Sequence, residues 1–401
     1  MDFDLAPELV ALATEAKQVG AVAAARRPHR EDGWLIGHDP AFAIELAERG
    51  WLGMTWPPSV GGGGRSALER FVVFESLISE GAPVASAYFA DRQIGPTLLQ
   101  FGTAEQQERW LPGILAGTSM WCIAMSEPDA GSDVASLRTR ATPDPDGSGG
   151  WRVSGAKVWT SGAAHADWCY LIARTDVEAR PHAGLSEFVV DMRSPGIEVR
   201  PIVDQTANKH FCEVVFDHVA VPAGHLVGTP NDSFRQVMRQ MEHERGGIDR
   251  LASNRRLYVD CLPHVDTTDP RVRQEIAALE TGYRLGRLLV LREVLGQAPP
   301  AFSAATKTFC TEHEQRVAAF CGRVLGPAAQ AWDQPRPGPG TSADLVGRAD
   351  LAGRADLAGR ADLAERVARN LVYAPAYTLM GGTTQILRTI LADRTLGLPR
   401  A

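Results

Sequence analysis

Met125-Ser-Glu-Pro-Asp-Ala-Gly-Ser-Asp133 and, a short way on, Gly155-Ala-Lys-Val-Trp-Thr-Ser-Gly162 decide how this chain is read. Each sets hydroxyls beside glycines that let backbone amides approach a flat polar ligand, and the second adds an indole able to stack on one. A third segment, Gly381-Gly-Thr-Thr-Gln-Ile386, lies near the C-terminus. Taken singly, a Gly-Ser-Asp loop is an ordinary turn and a Trp-Thr-Ser strand an ordinary core strand. Their order and spacing give the three together their meaning.

Working outward, the chain changes texture twice. Up to about residue 120, apolar residues recur at helical spacing, as in Phe71, Phe74, Leu77 and Ile78, which predicts a mainly helical region. The irregular stretch Trp51 to Gly64, ending in four glycines, has no following Lys-Ser/Thr, so it reads as a mobile connection rather than a phosphate loop. From 121 to 230, short runs such as Asp167–Ala173, Phe188–Asp191 and Glu213–Phe216 are separated by turn signals, which predicts a small antiparallel sheet domain. Asn231-Asp-Ser233 reads as a helix cap, and helical periodicity then runs to residue 401. The expected class is α+β, with regions 1–120, 121–230 and 231–401.

Composition removes several function classes. A chain of 401 residues, 44% hydrophobic, is too long for one core. A net charge of -7 without a Lys/Arg-rich run argues against a nucleic-acid surface. No apolar run approaches the roughly 18 residues of a membrane helix, and MDFDLAPELVALATEAK reads as neither signal nor anchor. Six scattered cysteines without a CxxC fit buried thiols in a reducing cytoplasm, and no spacing suggests a metal.

Residues 347–364 repeat Gly-Arg-Ala-Asp-Leu-Ala three times, just after a Pro/Gly-rich run, within an insertion expected at about 335–364. A period of six sets successive leucines about 120° apart on a helix, so Leu351, Leu357 and Leu363 share no face. Asp-to-Arg pairs four apart add roughly 0.3–0.5 kcal/mol each while each interior Gly costs about 1 kcal/mol. The balance predicts a marginal, solvated insertion.

The three motifs together resemble the acyl-CoA dehydrogenase family of flavoenzymes, almost end to end. The resemblance implies an N-terminal helical domain, a middle β domain and a C-terminal four-helix bundle, with FAD held between sheet and bundle and completed by a neighbouring subunit. It places Met125, Ser126, Gly131, Ser132, Trp159, Thr160, Ser161, Thr383 and Gln385 at the cofactor. Ser126 takes the position that bonds the flavin ring, Ser132 a second contact toward the pyrophosphate and the substrate, Trp159 the packing indole, and Ser161 the hydroxyl near the reactive edge. Alone, Trp159 would read as a core tryptophan; between Lys157 and Ser161 it reads as a flavin contact.

The reaction implied is removal of hydrogens from the α and β carbons of an acyl thioester. An α C–H is a very weak acid, so charge developing on the carbonyl must be stabilised while a base takes the proton. In the family the former comes in part from a backbone amide, here that of Gly381. Many members carry the base just before the C-terminal Gly-Thr, where this chain has Gly381, without a side chain. Another branch, with isovaleryl- and long-chain-type enzymes, supplies a Glu before an Arg on a bundle helix, and Glu244-Arg245 fits. Val237, Met241, Glu244, Ile248 and Leu251 are spaced 4, 3, 4 and 3 apart, which sets Glu244 in an apolar seam. Burial there raises a carboxyl above its usual value of about 4.3. Glu242 is the rival, on a stripe with Arg235 and Arg239; Arg245 braces the site and lies near substrate.

Two departures stand out. The family's Arg-x-x-Phe-Gly, which reaches the pyrophosphate of a flavin bound mainly by another subunit, is missing, with Arg271 or Arg273 as possible substitutes. The repeat insertion is the second. The implied partners are acyl-CoA or an acyl carrier protein thioester, an electron-transfer flavoprotein, and copies forming a homo-oligomer, dimer or tetramer, with a hetero-oligomer open. Two other classes stay in view: an oxygen-using monooxygenase or oxidase on this scaffold, and a non-catalytic partner subunit.

Overall fold

The computed structural model describes residues 5–27, 30–234, 236–237, 247–330 and 355–399, with side chains from 362 in the last segment. Its helical first third is built on α1 (Pro7–Ala24), α2 (Pro40–Glu48), α3 (Ala67–Ser79) and α4 (Ala104–Leu115). Capping boxes start two of them, Ser66 with Glu69 on α3 and Thr103 with Gln106 on α4. Each satisfies orphan amides of a first turn, an effect of about 1 kcal/mol. Gly20 lets α1 lie against α3, since a Cβ there would meet the Leu77 Cα at 3.2 Å.

The glycine-rich stretch departs from expectation. Trp51, Met54 and Trp56 are buried, and Gly63 and Gly64 donate to the carbonyls of Gly53 and Trp56 at 3.0 and 2.9 Å. The buried Asp91 accepts from Gly53 N at 2.7 Å. The stretch is a closed turn fastened by two tryptophans, not a loose connection. Asp91 and its neighbour Arg92 come from a π-helical turn, Ala90–Ile94, buried along its length.

The middle third is an eight-stranded sheet: β1 (Trp121–Ala124), β2 (Arg140–Pro143), β3 (Trp151–Lys157), β4 (Trp168–Arg174), β5 (Leu185–Asp191), β6 (Ile197–Ile202), β7 (Phe211–Val221) and β8 (Leu226–Val227). The order is β6-β7-β3-β2-β4-β5-β8, with β1 on β4. The expected antiparallel pattern holds for most pairs, but β1 runs parallel to β4 from Trp121↔Trp168 to Ala124↔Leu171, and β2 touches β4 in parallel. Alternation sends Cys169, Leu171 and Phe188 into a core within the sheet domain. Tyr170 and Val189 face the other way, onto Trp110 and Ile94 of the helical third.

Four helices dominate the last third: α5 (Pro270–Val294), α6 (Phe302–Leu325), α7 (Ala355–Tyr377) and α8 (Thr384–Ile390). The solvated-insertion reading fails for the third repeat copy: residues 359–364 lie in α7, with the end of the second copy before them, and Leu363 is buried in the core. Residues 331–354, with the first copy and the start of the second, lie outside the described residues. One core joins the first and last thirds, with Phe42, Phe74, Tyr258, Phe320 and Tyr377 among its members. Arg366 donates to Glu31 at 2.7 Å, and Trp34 Nε1 to the Tyr377 hydroxyl at 3.2 Å. The six cysteines are free and buried. Among the described residues, no helix is long and apolar enough to cross a membrane.

Candidate active site

One buried ion pair holds the two leading motifs together. Lys157, at the end of β3, sends Nζ to Glu127 Oε1 at 2.9 Å and to the Met125 carbonyl at 3.0 Å. Glu127 also accepts from the amides of Arg138 and Thr139 at 2.6 and 2.8 Å. Burial pulls the Lys157 ammonium down to about 8, although Glu127 opposes the shift. Burial works against the Glu127 charge too, but Lys157 and the backbone donors outweigh it and hold the carboxyl below its ordinary value. Loop 125–133 is thus fixed at both sides of its base, and the Ser126 carbonyl accepts from Val158 N at 2.9 Å.

The next residue is Trp159. Its φ of 60° is one that a bulky side chain rarely adopts, and it is 57% exposed. The indole edge-packs on Phe211, centroids 5.6 Å apart. Thr160 follows, anchored to Cys212 by two backbone hydrogen bonds, its buried hydroxyl without a partner among the described residues. A strained backbone presenting an aromatic face to the outside, beside an unmet hydroxyl, suits a planar polar ring laid against it. Met125, Ser126, Trp159, Thr160 and Ser161 therefore share one edge of the sheet domain, and Gly131 and Ser132 lie exposed in the same loop. A flat, polar ring system such as that of FAD would fit against the exposed Trp159 indole, beside the motif hydroxyls.

The C-terminal motif is an αL turn, Gly381 at φ 65° and Gly382 at φ 88°, leading into α8. The Gly382 carbonyl is held by the fully buried Lys307 of α6, 2.6 Å away. Thr383 caps α8, accepting from Ile386 N at 3.2 Å, which leaves its hydroxyl proton for another acceptor. Gln385 is exposed. Lys307, Lys157 as an ion-pair member and the two residues that tie this region to the sheet, Tyr373 and His210, were not assigned roles from sequence. Tyr373 OH and His210 Nε2 are 2.9 Å apart. Only a lone lysine among small residues, Ala304-Ala-Thr-Lys307, hinted at one of them.

Glu244 and Arg245, with Met241 and Glu242, lie outside the described residues. The chain re-enters at Gly247, where Arg92 meets Asp249 at 2.9 Å in a fully buried pair. Arg271 and Arg273 are engaged locally, the first with Asp269 at 2.9 Å and the second with the carbonyls of Thr267 and Thr268. A cavity of about 630 Å³ opens beside Gly247 and Ile248, walled by α3, the π-helical turn and α5. A second, of about 780 Å³, lies among Arg30, His165, His210 and Arg366.

Known proteins resemble this chain along most of its length. The N-terminal, middle and C-terminal domain families of acyl-CoA dehydrogenase match residues 12–118, 122–219 and 231–396. Acyl-CoA dehydrogenase IpdE1 of Mycolicibacterium smegmatis is 33% identical over 373 residues, 90% of this chain and 88% of the relative. Among solved structures, the Tcur3481-Tcur3483 steroid ACAD superposes with a TM-score of 0.82 at 29% identity, covering both chains in full. The ChsE4-ChsE5 complex from Mycobacterium tuberculosis gives 0.79 at 27%, again over both full lengths. Three family matches in order, and a relative this similar over nine-tenths of the chain, lead to one conclusion: the chain belongs to the acyl-CoA dehydrogenase family, oxidoreductases acting on CH–CH groups.

Proposed function

We propose that this protein carries out FAD-dependent α,β-dehydrogenation of a bulky acyl thioester, giving the 2-enoyl thioester. The carrying observation is Trp159, held at φ 60° and open on its outer face, next to the unmet Thr160 hydroxyl. Bound FAD would supply the two-electron acceptor for the hydride that leaves the β carbon. Ser126, Ser132, Thr160, Ser161, Thr383 and Gln385 position it. Glu244 takes the α proton as Arg245 braces that carboxylate, and the Gly381 amide stabilises charge on the thioester carbonyl. The αL turn fixed by Lys307 supports this last role, since it pins the direction of the glycine amides. Gly381 leaves room where a side chain would stand, and the steroid enzyme among the structural relatives favours a bulky acyl group. CoA is the carrier the family name supports, and an electron-transfer flavoprotein is the expected acceptor.

The decisive experiment is Glu244→Gln. FAD content and thioester binding persist while anaerobic flavin reduction falls by orders of magnitude; reduction at the wild-type rate refutes the base assignment. A second reading concerns assembly. The missing Arg-x-x-Phe-Gly motif and the likeness to a complex of two chains favour a hetero-oligomer in which a homologous chain completes the flavin site. Flavin stoichiometry of the chain purified alone and with such a partner tests it: one flavin per chain from the homo-oligomer refutes it.

A further inference from the structure

The cavity beside Gly247 has a wall that a hydrocarbon chain does not require. Gly247, which lines this cavity, is the first described residue after the segment that carries Glu244. Its apolar surface comes from Trp56, Phe71, Phe74, Ile248, Val290 and Val294. Its volume of about 630 Å³ falls in the middle of the range for ligand-sized pockets, roughly 300–1,000 Å³.

Three carboxylates stand in or behind this wall, and two are neutralised within the protein. Asp91 takes Arg70 Nε at 3.1 Å, and Asp249 takes Arg92 at 2.9 Å. Glu293, on α5, differs. Its one described partner is the Thr306 hydroxyl, which donates to Oε1, and no cation pairs with it among the described residues. Burial pushes its carboxyl up to about 7, so near neutral pH a large fraction carries a proton. The nearby Cys310 thiol is driven higher still by burial and stays neutral. Thr306 precedes Lys307, whose ammonium holds the Gly382 carbonyl, so Glu293 is linked through α6 to the turn that would carry the thioester carbonyl.

A carboxyl with one hydroxyl partner, on an apolar wall, is poorly matched to a hydrocarbon surface and well matched to an oxygen. Carboxylic acids kept neutral by apolar surroundings are good hydrogen-bond donors in other enzymes. We propose that Glu293 is a specificity-determining residue whose carboxyl donates a hydrogen bond to a carbonyl oxygen at the far end of the acyl group. The site then prefers a ring-sized, oxygenated acyl thioester over its hydrocarbon counterpart. This deepens the dehydrogenase reading and rests on it for the placement of the thioester.

The test compares 3-(4-oxocyclohexyl)propanoyl-CoA with 3-cyclohexylpropanoyl-CoA in the holoenzyme, wild type, Glu293→Gln and Glu293→Leu. Two readouts are taken: kcat/KM, and calorimetric Kd for the corresponding 2-enoyl thioesters, which undergo no further dehydrogenation. The wild type favours the ketone at least about tenfold in both. Glu293→Gln, which keeps a donor, retains the preference, and Glu293→Leu loses it through the ketone while still accepting the hydrocarbon. Glu293→Met replaces the leucine variant if that one fails to fold. Equal treatment of the pair by the wild type, or a preference that survives in the leucine or methionine variant, overturns the proposal. If no thioester is oxidised yet Kd tracks residue 293, the dehydrogenase reading fails and the assignment of Glu293 stands; if both are oxidised alike, the reverse holds.

Discussion

The hydroxyl of Tyr373 lies 2.9 Å from Nε2 of His210, joining α7 to the residue just before β7. Burial drives the His210 imidazole down to about 4, so the ring is neutral at physiological pH and the contact is a hydrogen bond between uncharged groups. His210 Nδ1 stands 3.7 Å from the Asp204 carboxylate, and the ring sits against Phe211, the packing partner of Trp159. The bond couples the C-terminal helices to the face proposed to hold the flavin. Tyr373→Phe is expected to lose about 1 kcal/mol of stability, read by denaturant melts, and to lower FAD retention on gel filtration. Unchanged flavin retention would separate this bond from the cofactor site.

Removing the ammonium beneath the first motif has a larger effect. Lys157→Met leaves Glu127 buried with only backbone donors, a loss of about 3–5 kcal/mol for a broken buried pair. Chemical denaturation of the apo-protein measures it. The replacement of both partners, Lys157→Met with Glu127→Gln, is expected to recover part of the loss, and failure to recover any would point to packing instead of charge.

Trp159 separates binding from stability. A left-handed tryptophan costs roughly 1–2 kcal/mol that glycine does not. Trp159→Gly forfeits the edge contact with Phe211, worth about 0.5–1.5 kcal/mol, yet relieves the backbone. The apo-variant should melt within a few degrees of wild type while its FAD affinity drops at least about tenfold, as measured by flavin fluorescence.

Glu187 makes stability depend on pH. It is fully buried on β5, with the Tyr170 hydroxyl donating at 2.7 Å, and burial pushes its carboxyl from 4.5 up to about 8. The folded state therefore holds a proton that the unfolded chain has released across that window. Its contribution is complete below about pH 4.5 and is lost as pH rises through about 8, a change on the order of a few kcal/mol. Melts from pH 5 to 9 should show a decline that Glu187→Gln flattens; an equal decline in both proteins excludes this residue as the source.

What the sequence made legible was local. Motifs of about eight consecutive residues located the loop at 125–133 and the strand end at 159–161, and periodicity separated helical from sheet regions. Long-range pairing left no such trace. Nothing near Trp121 announces that β1 runs parallel to β4, because parallel partners need no shared turn. Residues 51–64 looked loose because their glycines are visible in sequence, while the Asp91 carboxylate that fastens them comes from another element. Leu363 reads as solvated when its repeat is weighed alone, and buries because the start of α7 docks on the shared core. His210 and Tyr373 stand 163 residues apart, and neither lies in a motif.

The bond from Arg366 to Glu31 closes a span of 335 residues, and Trp34 reaches Tyr377 across 343. An N-terminal third built this way is unfinished until the last helices emerge. On the ribosome, Trp34 waits for nearly the whole polypeptide before it finds its neighbour, so apolar surface stays uncovered throughout elongation. Loop closure of that length burdens the rate of assembly far more than the final stability. Pulse-labelled nascent chains cut short before α7 should be digested by protease at sites that the completed protein shields.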